Sequence, residues 1–477
     1  MAERRSRGAI VVRFFIVSAL TVPALVAWGC GSASDSTFGS GTGNGDDSGP
    51  TQNLALGDGG DLNTQDSGCT GLQCKRVHCP DGGTTSLSGV VVSPRAGDPD
   101  PIYNAVVYVP NAPVEPFTDG VSCDRCGAPT SGSPIAVAQT GIDGRFTLTD
   151  VPVVDNLPLV VQLGRWRRQV VVSTVTACTD TALPSDLVRF PRNHSEGDIP
   201  RMALKSGDSD SPECVLRKMG IDESEFTAPD GGGRIEVYGG ILNNPPTTDG
   251  GNPSAAALLD DLNRMKRYDI VMLPCDGNTF APTTASMQNL EAFANLGGRI
   301  FASHYSYEWL MNAPAPSQWS GVVNWTPAAP PAPGTIEPGY INTTFPKGLA
   351  MSQWLERLSA SDGGVIPTLW QPRYDVNAVN NDTVEWIAIK TPNKVGHFSF
   401  NTPLGADAGE QCGRVVFNDF HTVDVYGGQT GVFPAECGNK TQPLTPQERV
   451  FEFMLFDLSS CVQKDDLPPV PPPPVVK

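Results

Sequence analysis

The sequence predicts a multidomain protein in which an antiparallel β-sandwich is followed by an α/β domain with a parallel sheet and a long insertion. Two patterns predict this fold class. Between residues 84 and 205, short β segments alternate with turn signals, and between 213 and 462 strands alternate with amphipathic helices. The length of 477 residues suffices for two or three domains, and 50 glycines with 44 prolines are typical of loop-rich extracellular modules.

The first thirty residues have the pattern of an export signal. A basic segment precedes residues 14–28, an apolar stretch too short to span a bilayer in the mature protein. Residues 25–30, ending in Cys30, resemble a bacterial lipobox, which implies that Cys30 becomes the lipid-modified first residue after cleavage. We therefore expect a lipid-anchored cell-envelope protein, at the outer membrane or cell surface, with the membrane as a partner. If the lipobox is not used, the protein is secreted.

Cysteine usage agrees with export. The chain has 12 cysteines, so eleven follow Cys30, and an oxidising compartment favours their pairing as disulfides. An odd number leaves at least one unpaired, and our candidate is Cys275, inside an apolar strand end. A metal cluster near the N-terminus is the alternative, but the spacings are not those of a zinc ribbon. The disulfide candidates are Cys69, Cys74, Cys79, Cys123, Cys126, Cys178, Cys214, Cys412, Cys437 and Cys461.

Net charge limits the expected partners, and low-complexity segments mark the parts of the chain outside the folded domains. The net charge of −18 excludes nucleic acid as an expected partner, because phosphate binding needs a concentrated basic surface. Residues 31–83 are predicted to be a flexible tether rich in Gly, Ser and Asp that ends in a cysteine cluster. Residues 463–477 are predicted to be a proline-rich tail in an extended conformation.

The segment 84–205 carries a family resemblance. In residues 140–152, Asp143 and Gly144 supply a tight turn, after which Phe146 and Leu148 alternate towards one side. This stretch, with residues 88–91 and 104–107, resembles carboxypeptidase regulatory-like domains, which are small transthyretin-like β-sandwiches. The resemblance implies a spacer or binding platform without catalysis.

The segment 213–462 begins with a βαβαβ order. Strands are predicted at 234–238, 269–274 and 299–302, separated by a helix at 254–268 and a second helix that Thr283 or Thr284 caps. This order predicts an open, flavodoxin-like parallel sheet with right-handed crossovers. Residues 312–400 are predicted to form an insertion, after which residues 414–417 rejoin the sheet. A capping box at residues 445–448 predicts a last helix.

Two stretches of this α/β domain, residues 296–304 and 413–421, resemble the class I glutamine amidotransferase-like superfamily, most closely its trehalose-utilisation branch. The first stretch corresponds to the strand that leads into the nucleophile elbow of that family. The elbow cysteine of the family is replaced here by His304. Glutaminase chemistry by the thiol mechanism of the family is therefore not expected.

Ligands of open α/β sheets bind at the carboxyl ends of the strands, where this chain places several polar residues. His304, Glu308 and His421 could bind a divalent metal, because His304 and Glu308 share one face if a helix begins at the next residue. Acid/base catalysis by His304 and His421 with Asp276 and Asp419 is a second interpretation. In the third interpretation, these side chains only form hydrogen bonds with buried backbone groups. The aromatic side chains either stack on a sugar or line the core; they are Tyr305, Tyr307 and Trp309.

Together these observations predict a lipid-anchored envelope protein with a binding or scaffold role and no required cofactor. Its expected partner is a glycan or another envelope protein. The alternative is a metal-dependent or acid/base hydrolase that acts on carbohydrate at the strand-end site of His304 and His421.

Overall fold

The computed structural model describes residues 69–473, apart from positions 208, 240–252, 330, 381, 391, 424–432, 435 and 436. The predicted signal peptide 1–30, the lipidation site Cys30 and the tether residues 31–68 lie outside this described part. Within it, no helix has both the length and the apolarity that a bilayer span requires.

Two small sheets form the first part of the fold. The four-stranded antiparallel sheet has the order β3-β2-β5-β6, and the three-stranded sheet has the order β4-β1-β7. Leu87, Val107, Phe146 and Leu159 of these sheets are buried in one core. The strands are β1 (Ser86–Val90), β2 (Val106–Pro110), β3 (Pro134–Gln139), β4 (Arg145–Leu148), β5 (Leu157–Leu163), β6 (Trp166–Val172) and β7 (Asp180–Ala182).

The turn before β4 requires glycine. Gly144 has a φ of 69°, in the left-handed region that glycine adopts without steric cost. A Cβ atom at this position would lie 2.5 Å from the carbonyl oxygen of Val91. The turn predicted at Asp143 and Gly144 is therefore fixed by both conformation and close backbone approach.

A ten-stranded sheet forms the second part, in the order β15-β14-β17-β18-β19-β12-β11-β8-β10-β9. A separate two-stranded sheet pairs β13 with β16. The strands are β8 (Met202–Lys205), β9 (Phe226–Thr227), β10 (Ile235–Tyr238), β11 (Ile270–Leu273), β12 (Arg299–Ser303), β13 (Val323–Trp325), β14 (Ile336–Ile341), β15 (Val365–Trp370), β16 (Val376–Val379), β17 (Thr383–Lys390), β18 (Asn393–Thr402) and β19 (Gly413–Asn418).

The large sheet is mixed, whereas the sequence predicted a parallel one. The strands from β9 to β19 in the spatial order pair in parallel. Beyond β19, the strands β18, β17, β14 and β15 pair antiparallel. These four strands come from the predicted insertion 312–400, which extends the sheet at one edge rather than interrupting it.

Eight helices are found in the described part of the chain. The helix predicted at 254–268 is broken in two, because the side chain of Asp261 accepts hydrogen bonds from the backbone N–H groups of Asn263 and Arg264 and caps a new helix. The helices are α1 (Ser185–Val188), α2 (Pro212–Lys218), α3 (Ala255–Leu259), α4 (Leu262–Met265), α5 (Thr284–Asn295), α6 (Glu308–Met311), α7 (Pro346–Arg357) and α8 (Pro446–Ser459).

Both faces of the parallel region are covered. One face contributes Met202, Met272 and Phe301 to a core that also contains the sandwich and α8. The other face packs against α3, α4 and α5. The sandwich meets α8 directly, since the indole Nε1 of Trp166 donates to Ser459 Oγ at 3.2 Å. The small sheets and the large sheet therefore share one hydrophobic core.

All ten disulfide candidates are paired, which confirms the expectation of disulfides. Cys275 is the free cysteine of the described residues and is buried. Two bonds join the loop after β2 to the α/β part of the chain. The pairs are Cys69–Cys74, Cys79–Cys178, Cys123–Cys412, Cys126–Cys461 and Cys214–Cys437.

Candidate functional site

Four parallel strands end at the same edge of the large sheet, and their carboxyl ends carry the polar residues of the site. Lys205 is the last residue of β8, and Cys275 and Asp276 follow β11. His304 comes directly after β12, and His421 lies three residues after the end of β19. Because β8, β11, β12 and β19 are consecutive parallel neighbours, these side chains meet at one place.

Three of these residues form a cluster: Cys275, His304 and His421. One donor atom from each residue, the sulfur of the cysteine or a ring nitrogen of each histidine, lies within 4.8 Å of the other two. Cys275 Sγ is 3.0 Å from Nδ1 of His304, and the ring centroids of the two histidines are 4.4 Å apart. All three are buried, with 0%, 4% and 3% of their surface exposed. This donor set could hold a metal ion.

His304 has a strained backbone. Its φ is 54°, in the left-handed region where a non-glycine residue is uncommon. A 3₁₀ turn, His304–Tyr307, follows immediately and leads into α6. Such conformations cost about 1–3 kcal/mol and are concentrated at functional sites. The strand β12 therefore ends in a strained turn that leads into a helix, and the residue at that turn is a histidine.

One buried carboxylate, Asp210, ties the two histidine segments together. Its Oδ2 accepts from Ser303 Oγ at 2.6 Å, next to His304. Its Oδ1 accepts from the backbone N–H of Thr422 at 2.9 Å and of Val423 at 3.3 Å, next to His421. The sequence predicted no role for Asp210, whose only signal is its position shortly after β8, a strand that the sequence did not predict either.

Burial controls the charge of the cluster. It raises the pKa of the Cys275 thiol to about 12. Burial also lowers the pKa of His304, with a further contribution from the nearby His421 and Arg373, and lowers that of His421. Near neutral pH the cluster therefore holds a protonated thiol and two neutral imidazoles. A thiol in this state is not a nucleophile, since the thiolate is the reactive form.

The other carboxylates predicted for the site lie outside the cluster. Asp276 forms a fully buried ion pair with Lys205. Glu308 accepts a hydrogen bond from Nδ2 of Asn312. The third member of the cluster is Cys275, and not Glu308 as the sequence predicted. Asp419 accepts at Oδ2 from the N–H of Asp375 at 2.9 Å, and burial raises its pKa well above the ordinary value.

A segment of the insertion covers the site. The backbone N–H of Arg373 donates to the carbonyl of Asp419 at 2.7 Å, and its guanidinium pairs with Asp375. The same guanidinium lies over the ring of Tyr305, 4.1 Å from its centroid. Arg373 is 2% exposed. The sequence offered no signal for it, because it lies about seventy residues from His304 in the chain.

The three aromatic residues that follow His304 are packed inside the protein. Tyr305, Tyr307 and Trp309 are 8%, 2% and 3% exposed. The ring of Trp309 lies 5.3 Å from that of Phe280 between centroids, and Tyr307 lies 6.1 Å from Trp325. Their surroundings are those of core residues, in line with the interpretation that these side chains line the core and do not stack on a sugar.

Comparison with known proteins gives limited guidance. No family model and no curated protein matches the chain. Among solved structures, a cytoplasmic protein from Salmonella typhimurium aligns with 8% identity over 56% of this chain and 100% of its own, at a TM-score of 0.29. ThuA-like proteins from Bacteroides uniformis and Parabacteroides merdae align with 12% and 11% identity, each at a TM-score of 0.26. They cover 53% and 56% of this chain and 91% and 97% of their own. At these TM-scores the likeness supports no conclusion about function.

Proposed function

We propose that this chain is an exported, lipid-anchored cell-envelope protein that binds an envelope glycan and has no glutaminase activity. In the stretch that resembles the amidotransferase elbow, His304 stands in place of the cysteine, and the free thiol near it, that of Cys275, is fully buried. The five disulfides support export, since such bonds persist in oxidising compartments. The spatial order β10-β8-β11-β12-β19 supports the flavodoxin-like assignment of the parallel region.

The observation that carries the binding role is a groove between the sandwich and the C-terminal segment, lined by residues other than those of the strand-end site. Its cavity volume is about 330 Å³, within the range of small-ligand sites. Asn104, Gln139 and Gln162 line it together with Phe117. Arg167 lies against one face of that ring, 4.0 Å from its centroid. Amides beside an aromatic ring supply the hydrogen bonds and the apolar contact that a sugar requires.

The test is calorimetric titration of the full chain with soluble peptidoglycan fragments. We expect Phe117→Ala and Gln139→Ala to weaken binding at least tenfold, because they remove the apolar contact and one amide of the groove. Val171→Ala is the control, since Val171 is 54% exposed and does not line the groove. A wild-type chain that binds no fragment, or equal binding by all variants, would contradict the proposal.

A carbohydrate hydrolase is the second candidate, favoured by the 4.4 Å separation of the His304 and His421 rings. Both histidines are buried, so substrate can reach these imidazoles only after the residues around them move. For this function, hydrolysis of a polysaccharide panel should be lost in both His304→Ala and His421→Ala. It should be retained in Phe117→Ala if the groove is not part of the active site.

A further inference from the structure

We infer that Cys275, His304 and His421 form a binding site for one transition-metal ion of the zinc or copper class. The cysteine sulfur and the two imidazoles are donors that these metals prefer, while hard cations such as magnesium and calcium take oxygen ligands. The ligand set differs from the one predicted from the sequence, because Cys275 replaces Glu308. The site is separate from the glycan groove and does not depend on it.

The distances between donor atoms suit such an ion. In a tetrahedral zinc site, two nitrogen ligands lie about 3.3 Å apart, and a nitrogen and a sulfur lie about 3.6 Å apart. Here the sulfur-to-Nδ1 distance between Cys275 and His304 is 3.0 Å, and no two of the donor atoms exceed 4.8 Å.

The imidazole of His421 gives an independent indication. Among the described residues, neither of its ring nitrogens has a hydrogen-bond partner, and the side chain is only 3% exposed. A buried polar atom without a partner is destabilising and needs an explanation. A metal ion bound at one nitrogen supplies the missing partner. It would also explain why Cys275 forms no disulfide while every other cysteine in the described residues is in one.

Surrounding contacts hold the three ligands in place, as is usual at metal sites. Asp210 fixes the segments on which His304 and His421 lie. The carbonyl of Cys275 accepts from the N–H of Ser209 at 3.2 Å, and its Sγ accepts from the N–H of Gly277 at 3.2 Å. The second bond favours the thiolate, which forms when the metal displaces the proton of the Cys275 thiol to solvent.

The first experiment measures metal in the full chain, isolated after export without chelator. We expect about one zinc or copper ion per chain by elemental mass spectrometry. Removal by chelator and reloading with Co²⁺ should give the absorption of a cobalt–thiolate bond, and reloading with Cu²⁺ a coloured copper–thiolate band. The mass of the bound ion distinguishes the two metals, because zinc and cuprous copper both leave the isolated protein colourless. A wild-type chain with no bound ion, and no thiolate band after reloading, overturns the inference.

Variants identify the ligands. Cys275→Ser should abolish the cobalt–thiolate band, and His421→Gln should reduce cobalt binding at least tenfold. Two matched control variants should keep both the cobalt–thiolate band and the affinity for cobalt. His397→Gln replaces another fully buried histidine whose ring nitrogens have no hydrogen-bond partner among the described residues, and Glu308→Gln replaces the carboxylate expected from the sequence. If Cys275→Ser or His421→Gln keeps a full complement of metal, the inference is wrong. If these variants do not fold, loss of the wild-type thiolate band on unfolding still tests the site.

The Phe117→Ala variant should bind metal normally, which separates this inference from the glycan proposal.

Discussion

The candidate site depends on single residues whose contacts join distant parts of the chain. Asp210 is fully buried and accepts hydrogen bonds from residues adjacent to both histidines of the cluster. Its removal would leave the N–H groups of Thr422 and Val423 and the hydroxyl of Ser303 without this acceptor. Buried donors without a partner cost about 1–3 kcal/mol each, although such costs are not additive.

We expect Asp210→Ala to lower the free energy of unfolding by about 3 kcal/mol, measured by urea denaturation without reductant. Asp186→Ala is the matched control. Its carboxylate pairs with Arg189 but is 82% exposed, and exposed ion pairs contribute roughly 0–1 kcal/mol. A loss below 1 kcal/mol for Asp210→Ala would show that the two histidine segments do not depend on this carboxylate.

The sequence predicted part of this site for physical reasons. His304 and His421 were found because parallel strands end at one edge of a sheet. Glu308 was expected beside His304 from helical spacing, but the residues between them form a 3₁₀ turn, in which positions four apart do not share a face. Asp210 and Arg373 could not be found, because their contacts bring together segments with no common pattern in the sequence.

At the scale of elements, terminal signals proved more informative than hydrophobic periodicity. The capping box before α8 is confirmed: the N–H of Glu448 donates to Thr445 Oγ1, and the N–H of Thr445 donates to Glu448 Oε2 at 2.8 Å. Periodicity alone predicted one helix at 254–268, and the Asp261 cap breaks it. The strand β8 has only four residues, too few for a pattern, yet it lies between β10 and β11.

The cap of α8 gives a prediction at this scale. We expect Thr445→Ala to lower the free energy of unfolding by about 1 kcal/mol, because the first turn loses a side-chain acceptor. Thermal and urea unfolding should agree on this value. Thr344→Ala is the control, since the hydroxyl of Thr344 is exposed and bonds only locally to Asn342. An equal loss in the two variants would mean that the capping box does not stabilise α8.

The whole molecule is held together by covalent bonds as well as by its shared core. Cys123 and Cys126 lie in a loop of the sandwich part, and they bond to Cys412 and Cys461 of the α/β part. The sequence separations are 289 and 335 residues. While one of these bonds remains, the other closes a loop of only about 50 residues in the unfolded chain. The loss of chain entropy on closing a loop of this length stabilises the folded state by about 4 kcal/mol. The two parts of the molecule should therefore unfold together.

We expect the pair Cys126→Ser with Cys461→Ser to lower the free energy of unfolding by about 4 kcal/mol, measured with guanidinium under oxidising conditions. The matched control is Cys69→Ser with Cys74→Ser, whose bond spans a separation of 5 residues and should contribute about 2 kcal/mol. None of these four cysteines is among the core residues, so little packing is lost in either variant. The difference between the two losses in free energy of unfolding therefore measures the effect of closing the longer loop in the unfolded chain. Equal losses would show that the core alone joins the two parts, and a second unfolding transition would show that they separate once the bond is broken.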